Sequence, residues 1–306
     1  MEKDASVTPA NRKLIVGFTE NRLAQGTSGF RIVKVIYCLR YMAKWLGKGF
    51  DEASKQDLIA LVGEIERRPY AEWSKYDFKV VLKLFFRWLK GNDEENPPET
   101  KWLRPKLKNT AKKLPEELLT EAEVYRMAQA AHHPRDKALV LVLYESGCRI
   151  GEMLSLKIKN VQFDQYGAVL RVTGKTGDRR VRIIQSASEL GKWLEIHPNK
   201  ETESWLWPPR SNNAYRKESP AECQSIYVML KKLAKSAGIT KKVYPHLFRH
   251  SRATFLASKL TEAQMKEYFG WTQCSDMAAT YVHLSGRDVD QSLLKLYHME
   301  DKNDES

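Results

Sequence analysis

Tyr244-Pro245-His246-Leu247-Phe248-Arg249-His250-Ser251, continuing as Arg252-Ala253-Thr254-Phe255-Leu256-Ala257, is the stretch from which the rest of the chain can be read. His246 and Arg249 are three residues apart, so a helix sends both side chains from one face. Such a pair can grip one phosphate. Downstream, Phe269-Gly270-Trp271 and Ala279-Thr280-Tyr281-Val282-His283 place a phenol beyond an indole, and upstream Gly147-Cys148-Arg149-Ile150-Gly151-Glu152 supplies a second guanidinium. Two guanidiniums, an imidazole and a phenol, without an acidic cluster for a metal, are the groups needed to attack a phosphodiester with a protein nucleophile.

The bulk properties set the frame for that chemistry. A length of 306 residues predicts about two domains, each able to bury its own core. The formal net charge of +13 exceeds what solubility requires and predicts attraction to a polyanion, nucleic acid first. Cys38, Cys148, Cys223 and Cys274 are scattered without a C-x-x-C pair, which argues against a disulfide framework or zinc knuckle and fits a reducing cytoplasm. No apolar run approaches membrane-spanning length, and Met1-Glu2-Lys3-Asp4 carries no apolar signal core.

The first part of the chain reads as four helices. Thr8-Pro9 opens one to about Leu23; a second, about Ser28 to Leu46, buries Ile32, Ile36, Leu39, Met42 and Leu46 and carries Lys34, Tyr37, Tyr41 and Lys44 on its other side. A third starts near Ser54 with a capping-box-like Asp57 and ends at Arg67-Arg68-Pro69. The fourth, about Tyr70 to Lys90, lines up Phe78, Val81, Leu82, Phe85, Trp88 and Leu89 on one stripe and Lys75, Lys79, Lys83 and Arg87 on another. Cations spaced about 6 Å apart along a helix resemble the spacing of phosphates along a strand of DNA, so two basic stripes suggest a module that clasps a duplex. A solvated helix face gives the same pattern. Residues 92–114, with Asp93-Glu94-Glu95, Pro97-Pro98, Pro105 and a basic run, read as a linker between a domain at 1–91 and another at 115–306.

In the second domain, Thr120-Glu121-Ala122-Glu123 is a capping box opening a helix to about Ala131, and Pro134 opens another that stops at Gly147. Arg149 therefore falls at a break between helices. Ala168–Val172 and Arg180–Ile184 read as strands joined through Gly174-Lys175-Thr176-Gly177-Asp178, a hairpin carrying Lys175 at its tip. Gly-Lys-Thr is not a phosphate-binding loop, because position 169, where the motif's first Gly belongs, is Val and a strand follows. Helices follow at about 221–238, 246–260, 261–269 and 276–282. A last apolar helix carries Val289, Leu293, Leu296 and Tyr297. His246 and His250, four apart, lack the Glu of H-E-x-x-H, so no metal is expected there; His250 reads as a core hydrogen-bonding residue or a support for the arginines.

Taken in order, Arg149 in G-C-R-I-G-E, Lys175 on a hairpin, His246-x-x-Arg249, Trp271 after Phe-Gly and Tyr281 before Val-His resemble the tyrosine recombinase (phage integrase) family, over the whole of the chain from about Lys113. The resemblance implies a mainly α fold with a small antiparallel β hairpin or sheet, an N-terminal four-helix core-binding domain and a C-terminal catalytic domain. It also implies a clamp around double-stranded DNA, a homotetramer on two DNA partners and strand exchange without a cofactor.

By that resemblance Arg149 and Arg249 hold the non-bridging oxygens, Tyr281 is the nucleophile, Lys175 gives a proton to the leaving 5′ oxygen, and His246 hydrogen-bonds the phosphate and assists proton movement. Trp271 stands where many members have His; an indole donates but accepts no proton, so position 271 binds and packs. Two departures are visible. Trp271 to Tyr281 is one residue longer than the bacterial Xer pattern, and the hairpin is one residue longer, which makes Arg179 a fallback for Lys175. Glu152 matches an acidic position that orders the site. Lys34, Lys44, Lys75, Lys79, Lys83 and Arg87 are the expected DNA contacts of the first domain.

The expected activity is site-specific cleavage and rejoining of DNA through a covalent 3′-phosphotyrosine. Two alternatives remain open at the level of sequence: relaxation of DNA in the manner of a type IB topoisomerase, and DNA binding without catalysis on the same fold.

Overall fold

A computed structural model describes residues 7–91, 95–107, 115–210 and 219–284. The chain divides into two compact units, Met1–Lys112 and Lys113–Ser306.

In the first unit, helix α1 (Pro9–Ala24) begins where the Thr8 hydroxyl accepts from the Asn11 amide and proline occupies the first turn. Helix α2 (Gly29–Leu46) stops at Gly47, whose φ of 70° is left-handed. Helix α3 (Lys55–Arg67) has the reciprocal Ser54–Asp57 capping box, and α4 (Glu72–Lys90) follows. Phe18, Phe50, Phe78, Phe85 and Phe86 fill the interior between these helices, with Phe85 edge-on to Phe18 at 5.3 Å and to Phe50 at 4.9 Å. Each such ring contributes about 1.5–3 kcal/mol by leaving water. Buried Asn11 fastens the turn before α3: its amide donates to the Lys48 carbonyl at 2.9 Å and its carbonyl oxygen accepts from the Phe50 amide at 2.8 Å.

Two features of this unit add to the sequence reading. The segment read as linker is not all connecting chain, because Pro98–Lys101 forms a helical turn, α5, and Leu103 lies in the core of the first unit. The cationic stripe of α4 is also not an open row. Lys75 pairs with Glu72 at 3.2 Å, Lys79 with Glu66 on α3 at 2.7 Å, Lys83 donates to the Leu103 carbonyl at 2.9 Å, and Arg87 donates to Asn96 at 3.0 and 3.3 Å. Lys79 is 6% exposed. Four-residue spacing marks a stripe but not what faces it, and here the partners come from the first turn of α4 itself, from α3 and from 96–103. The more open basic surface is on α2, where Phe30, Arg31, Val33, Lys34, Tyr37, Arg40 and Lys44 are exposed; Lys34 is in an ion pair with Asp77.

The second unit is built round α7 (Pro134–Ser146), whose residues from Ala138 to Ser146 are buried on every side. Helix α6 (Glu121–Gln129), with its Thr120–Glu123 capping box, packs beside it. Past Gly147 comes the short α8 (Ile150–Leu154) and then a three-stranded antiparallel sheet in the order β1 (Val161–Asp164), β2 (Gly167–Gly174), β3 (Gly177–Ile183). Gly174 pairs with Gly177, so Lys175 and Thr176 form a two-residue turn. Helices α9 (Ala187–Glu195), α10 (Cys223–Ser236), α11 (Pro245–Ala257), α12 (Glu262–Phe269) and α13 (Met277–Leu284) complete the described part.

The architecture is the expected mainly α fold with a small antiparallel sheet, but β1 and α9 were not read from sequence. Strand β1 has four residues and no buried one, so it shows no alternation; α9 is nine residues long and contains Gly191. The last apolar helix expected around Val289 to Tyr297, most of the polar loop at 210–219 and the basic run at 108–113 lie outside the described residues.

Residue 145 ties these pieces together. The buried Glu145 carboxylate accepts from the amides of Ile184, Gln185 and Ser186 at 2.7, 3.1 and 2.8 Å and from the Ser186 hydroxyl at 2.6 Å. Its backbone carbonyl accepts from Arg252 Nε of α11 at 3.0 Å and from the Tyr268 hydroxyl of α12 at 2.7 Å. Two residues on, Gly147 has φ 56°, and a Cβ there would lie 2.4 Å from Phe269 Cε1. A side chain at 147 meets both a left-handed backbone, costing about 1–2 kcal/mol, and an overpacked core, costing about 1–3 kcal/mol. Gly147→Ala is therefore expected to lower unfolding stability by about 2–5 kcal/mol, read as a fall in the urea midpoint without a change in slope.

Candidate active site

Arg149 sits at the N-terminus of α8 because Gly147 ends α7 in a left-handed turn and Arg149 itself is extended, at φ −66° and ψ 145°. Glu152, one turn on, reaches back: Oε2 accepts from the Arg149 amide at 3.0 Å and Oε1 from Arg149 Nη1 at 2.7 Å. Arg179 of β3 donates to the same carboxylate, Nη2 to Oε2 at 2.7 Å. Burial by itself would raise the Glu152 pKa; the hydrogen bonds from Arg179 and Arg149 outweigh it and hold the group at about 2. The carboxylate thus orients one guanidinium and is itself oriented by another.

Arg179 is enclosed, with 7% of its side chain exposed, and Nε donates to the Tyr268 carbonyl at 3.1 Å. It lies so close to the turn after α12 that a Cβ at Gly270 would come within 2.9 Å of its Nη1. Arg179 therefore braces Glu152 against the end of α12, while Lys175 stands at the hairpin tip. Lys175 is exposed on its two-residue turn, and the neighbouring Thr176 hydroxyl donates to the Gly270 carbonyl at 3.2 Å, bringing the tip beside Trp271.

Arg249 is 5% exposed. Nη1 donates to the Gly147 carbonyl at 2.8 Å and Nη2 to the Phe269 carbonyl at 2.6 Å, and the guanidinium carbon lies 5.0 Å from the Phe269 ring and 5.5 Å from that of Trp271. Burial, then the neighbouring charge of Arg149, pull its pKa down to about 10, so it stays cationic at neutral pH. His246 is exposed on the first turn of α11, with its ring 6.1 Å from that of His250.

Tyr281 is 3% exposed and completes a stack of three rings: Phe269 on Trp271 at 4.9 Å and 20°, Trp271 on Tyr281 at 5.5 Å and 5°. Small residues make this close approach possible, since Ala253 and Ala257 of α11 and Ala278 of α13 share one apolar cluster with Tyr281. The Tyr281 hydroxyl is hydrogen-bonded to His250 Nδ1. Burial pushes the phenol up to about 12, while the charge of Arg249 acts the other way. Its proton therefore needs an acceptor before the oxygen can attack at neutral pH.

The second unit brings Arg149, Arg249, Trp271 and Tyr281 into one contact network, with His246 and Lys175 at its margins. Arg179 and His250 were given lesser places by sequence reasoning. For His250 the available signal was its position one residue after Arg249 and one turn after His246 on the same helix. Among the described residues, no group of three or more His, Cys, Asp or Glu side chains is placed to hold a metal ion, and no helix is long and apolar enough to cross a membrane.

The phage integrase family model matches residues 117–287. Tyrosine recombinase XerA of Pyrococcus horikoshii is 30% identical over 224 residues, covering 72% of this chain and 72% of that one. Transposase A from transposon Tn554 of Staphylococcus aureus is 28% identical over 200 residues, covering 60% of this chain and 53% of the transposase. Among solved structures, a XerH site-specific recombinase bound to its difH substrate overlays with a TM-score of 0.65 at 19% identity, over 92% of this chain and 82% of that one. A lambda integrase dimer bound to a core site overlays at 0.70 and 15% identity, over 93% and 80%. At those identities the overlays speak for the fold alone.

The depressed pKa of Glu152 makes the site's stability depend on acid. A carboxylate lowered from its unfolded value near 4.3 to about 2 contributes fully above about pH 5 and loses that contribution as pH falls through 2. Wild-type protein is expected to lose on the order of 2–3 kcal/mol more than Glu152→Gln between pH 5 and pH 2 in parallel denaturant titrations. Equal acid sensitivity of the two proteins would contradict this account of the carboxylate.

Proposed function

The chain belongs to the phage integrase family of tyrosine recombinases, and from that premise we propose that it cuts and rejoins double-stranded DNA at a specific site through a covalent 3′-phosphotyrosine on Tyr281. The observation that carries the reading is a buried phenol, stacked on Trp271, that feels the charge of Arg249, which in turn feels Arg149, the two guanidiniums being held by independent restraints: Arg149 by Glu152, and Arg249 by the carbonyls of Gly147 and Phe269.

Transfer of a phosphoryl group to a phenol builds negative charge on the two non-bridging oxygens. Arg149 and Arg249 are the groups to receive them, since a guanidinium donates from a rigid fork and remains charged. His246, exposed at the head of α11, hydrogen-bonds the same phosphate. Lys175 gives its proton to the leaving 5′ oxygen, a task that suits a side chain at an exposed hairpin tip beside Gly270 and Trp271. Trp271 packs the phenol with its ring and has no lone pair for proton transfer. The phosphotyrosine keeps the energy of the broken bond, so rejoining requires no nucleotide.

The +13 charge supports double-stranded DNA as partner. In the first unit we assign the contact to the exposed face of α2, with Lys34 and Lys44 joined by Arg31 and Arg40, rather than to the partnered stripe of α4. Assembly as a homotetramer on two DNA sites, and work in the cytoplasm, go with this reading.

Covalent capture on a library of host and element DNA, followed by sequencing of the protein-linked ends, tests it. Wild-type protein is expected to give protein–DNA adducts at one recurring sequence, Tyr281→Phe none, and Arg149→Ala adducts formed about 100- to 1,000-fold more slowly. Adducts from Tyr281→Phe would overturn the assignment of the nucleophile. Relaxation of supercoils by a monomer without sequence preference would favour a topoisomerase, and tight salt-sensitive binding with no adduct would favour a DNA-binding protein that does not cleave.

A further inference from the structure

Arg149, Arg249, His246, Lys175 and Tyr281 account for the phosphate, the leaving group and the nucleophile, with His246 assisting proton movement from the exposed head of α11; which group meets the phenolic proton itself is a separate question. The structure has a candidate in contact with that proton. His250 Nδ1 is hydrogen-bonded to the Tyr281 hydroxyl, and the two rings lie 5.8 Å apart at 39°. With Nε2 carrying the imidazole proton, Nδ1 has a lone pair directed at the phenol.

Helix geometry explains the pairing. Arg249 points at the carbonyls of Gly147 and Phe269, and one residue on, about 100° round α11, the next side chain faces α13. His250, Ala253 and Ala257 form that face, and Ala278 and Tyr281, three apart on α13, pack on its alanines. The alanines let the helices approach closely enough for the imidazole to meet the hydroxyl. Two further facts call for a base at this point: the phenol is 3% exposed, which keeps solvent base from it, and burial pushes its pKa to about 12.

We propose that His250 is a catalytic residue, the general base that takes the Tyr281 proton as the phenolic oxygen attacks phosphorus; this rests on Tyr281 being the nucleophile. In the forward step the Tyr281 O–H bond breaks and its proton moves to Nδ1. The Tyr281 oxygen–phosphorus bond forms, and the bond from phosphorus to the 5′ oxygen breaks, with that oxygen taking the Lys175 proton. In rejoining, the His250 imidazolium returns its proton to the departing phenol. No oxidant, metal or further reactant enters the balance.

The test uses the full-length protein and nicked duplex carrying the sequence found by covalent capture. His250→Gln, which keeps a hydrogen-bond acceptor but no useful basicity, is expected to bind this DNA as wild type does and to form the adduct about 100-fold or more slowly. Replacing Tyr281 with a fluorinated tyrosine, whose phenol ionises more readily, is expected to shrink that deficit at least about tenfold, because a more acidic nucleophile needs less help. A deficit of the same size with either phenol would make His250 a packing residue and overturn the proposal. So would adduct formation by His250→Gln within threefold of wild type, or faster than wild type, the latter marking the contact as a restraint on the nucleophile.

Should His250→Gln fail to bind DNA, wild-type protein carries the test on a 5′-bridging phosphorothiolate, whose sulfur leaves without needing a proton. A solvent deuterium isotope effect on adduct formation that vanishes with the fluorinated tyrosine is expected, and absence of the effect with natural tyrosine overturns the proposal. Failure of the underlying assignment is separately visible, because wild-type protein would then form no adduct that depends on Tyr281.

Discussion

Three guanidiniums, those of Arg149, Arg179 and Arg249, are gathered around one buried carboxylate, Glu152, and the second unit depends on how that excess of positive charge is held. Arg149 and Arg179 both donate to Glu152, while Arg249 turns away to two backbone carbonyls. The neighbouring cations pull the Arg249 pKa down after burial has done so, and they help to hold the carboxylate ionised. Like charges drawn together in a partly dry interior repel unless something fixes them, and here rigid backbone fixes them: the left-handed turn at Gly147, the end of α12 and strand β3. A cluster with more cations than anions attracts an anion, and under the proposed function that anion is a phosphate of the DNA backbone.

The same restraints explain why the aromatic stack is where it is. Phe269 offers its carbonyl to Arg249 and its ring to Trp271, and Trp271 in turn lies flat on Tyr281. Gly147 and Gly270, at the two ends of this arrangement, have no room for a side chain: one faces the Phe269 ring, the other the Arg179 guanidinium. Backbone turns, charge network and ring stack are therefore one mechanical unit.

In the first unit the distribution of charge has a different logic. The cations of α4 are engaged by Glu72 within the helix and by Glu66, Asn96 and the Leu103 carbonyl, the last three fastening α3 and the 95–103 segment to α4. Positive charge open to solvent is concentrated instead on α2, interleaved with the exposed rings of Phe30 and Tyr37. Net charge thus predicts attraction to a polyanion but does not say which basic residues meet it, because a lysine stem packs and its ammonium pairs as readily as it stays in water.

Much of this protein was legible before folding was considered. Capping boxes at Ser54–Asp57, Thr120–Glu123 and Thr261–Gln264, proline at the heads of α1, α7 and α11, and glycine after α2, α7 and α12 are local signals, and the helices begin and end where those signals stand. The ordered motif from Arg149 to Tyr281 identified the family because its members are defined by residue types at characteristic places along the chain. What sequence could not supply was partnership across distance. Strand β1 is too short to show alternation and takes shape against β2, three of the α4 cations find partners nine to twenty residues away, Arg179 braces Glu152 and the end of α12, and His250 meets a tyrosine 31 positions on. Local pattern decides the conformation of each segment, since caps and turns act within one turn of backbone. Which side chains share a buried charge or a proton is decided when segments far apart in the chain pack against each other, and that belongs to the tertiary structure.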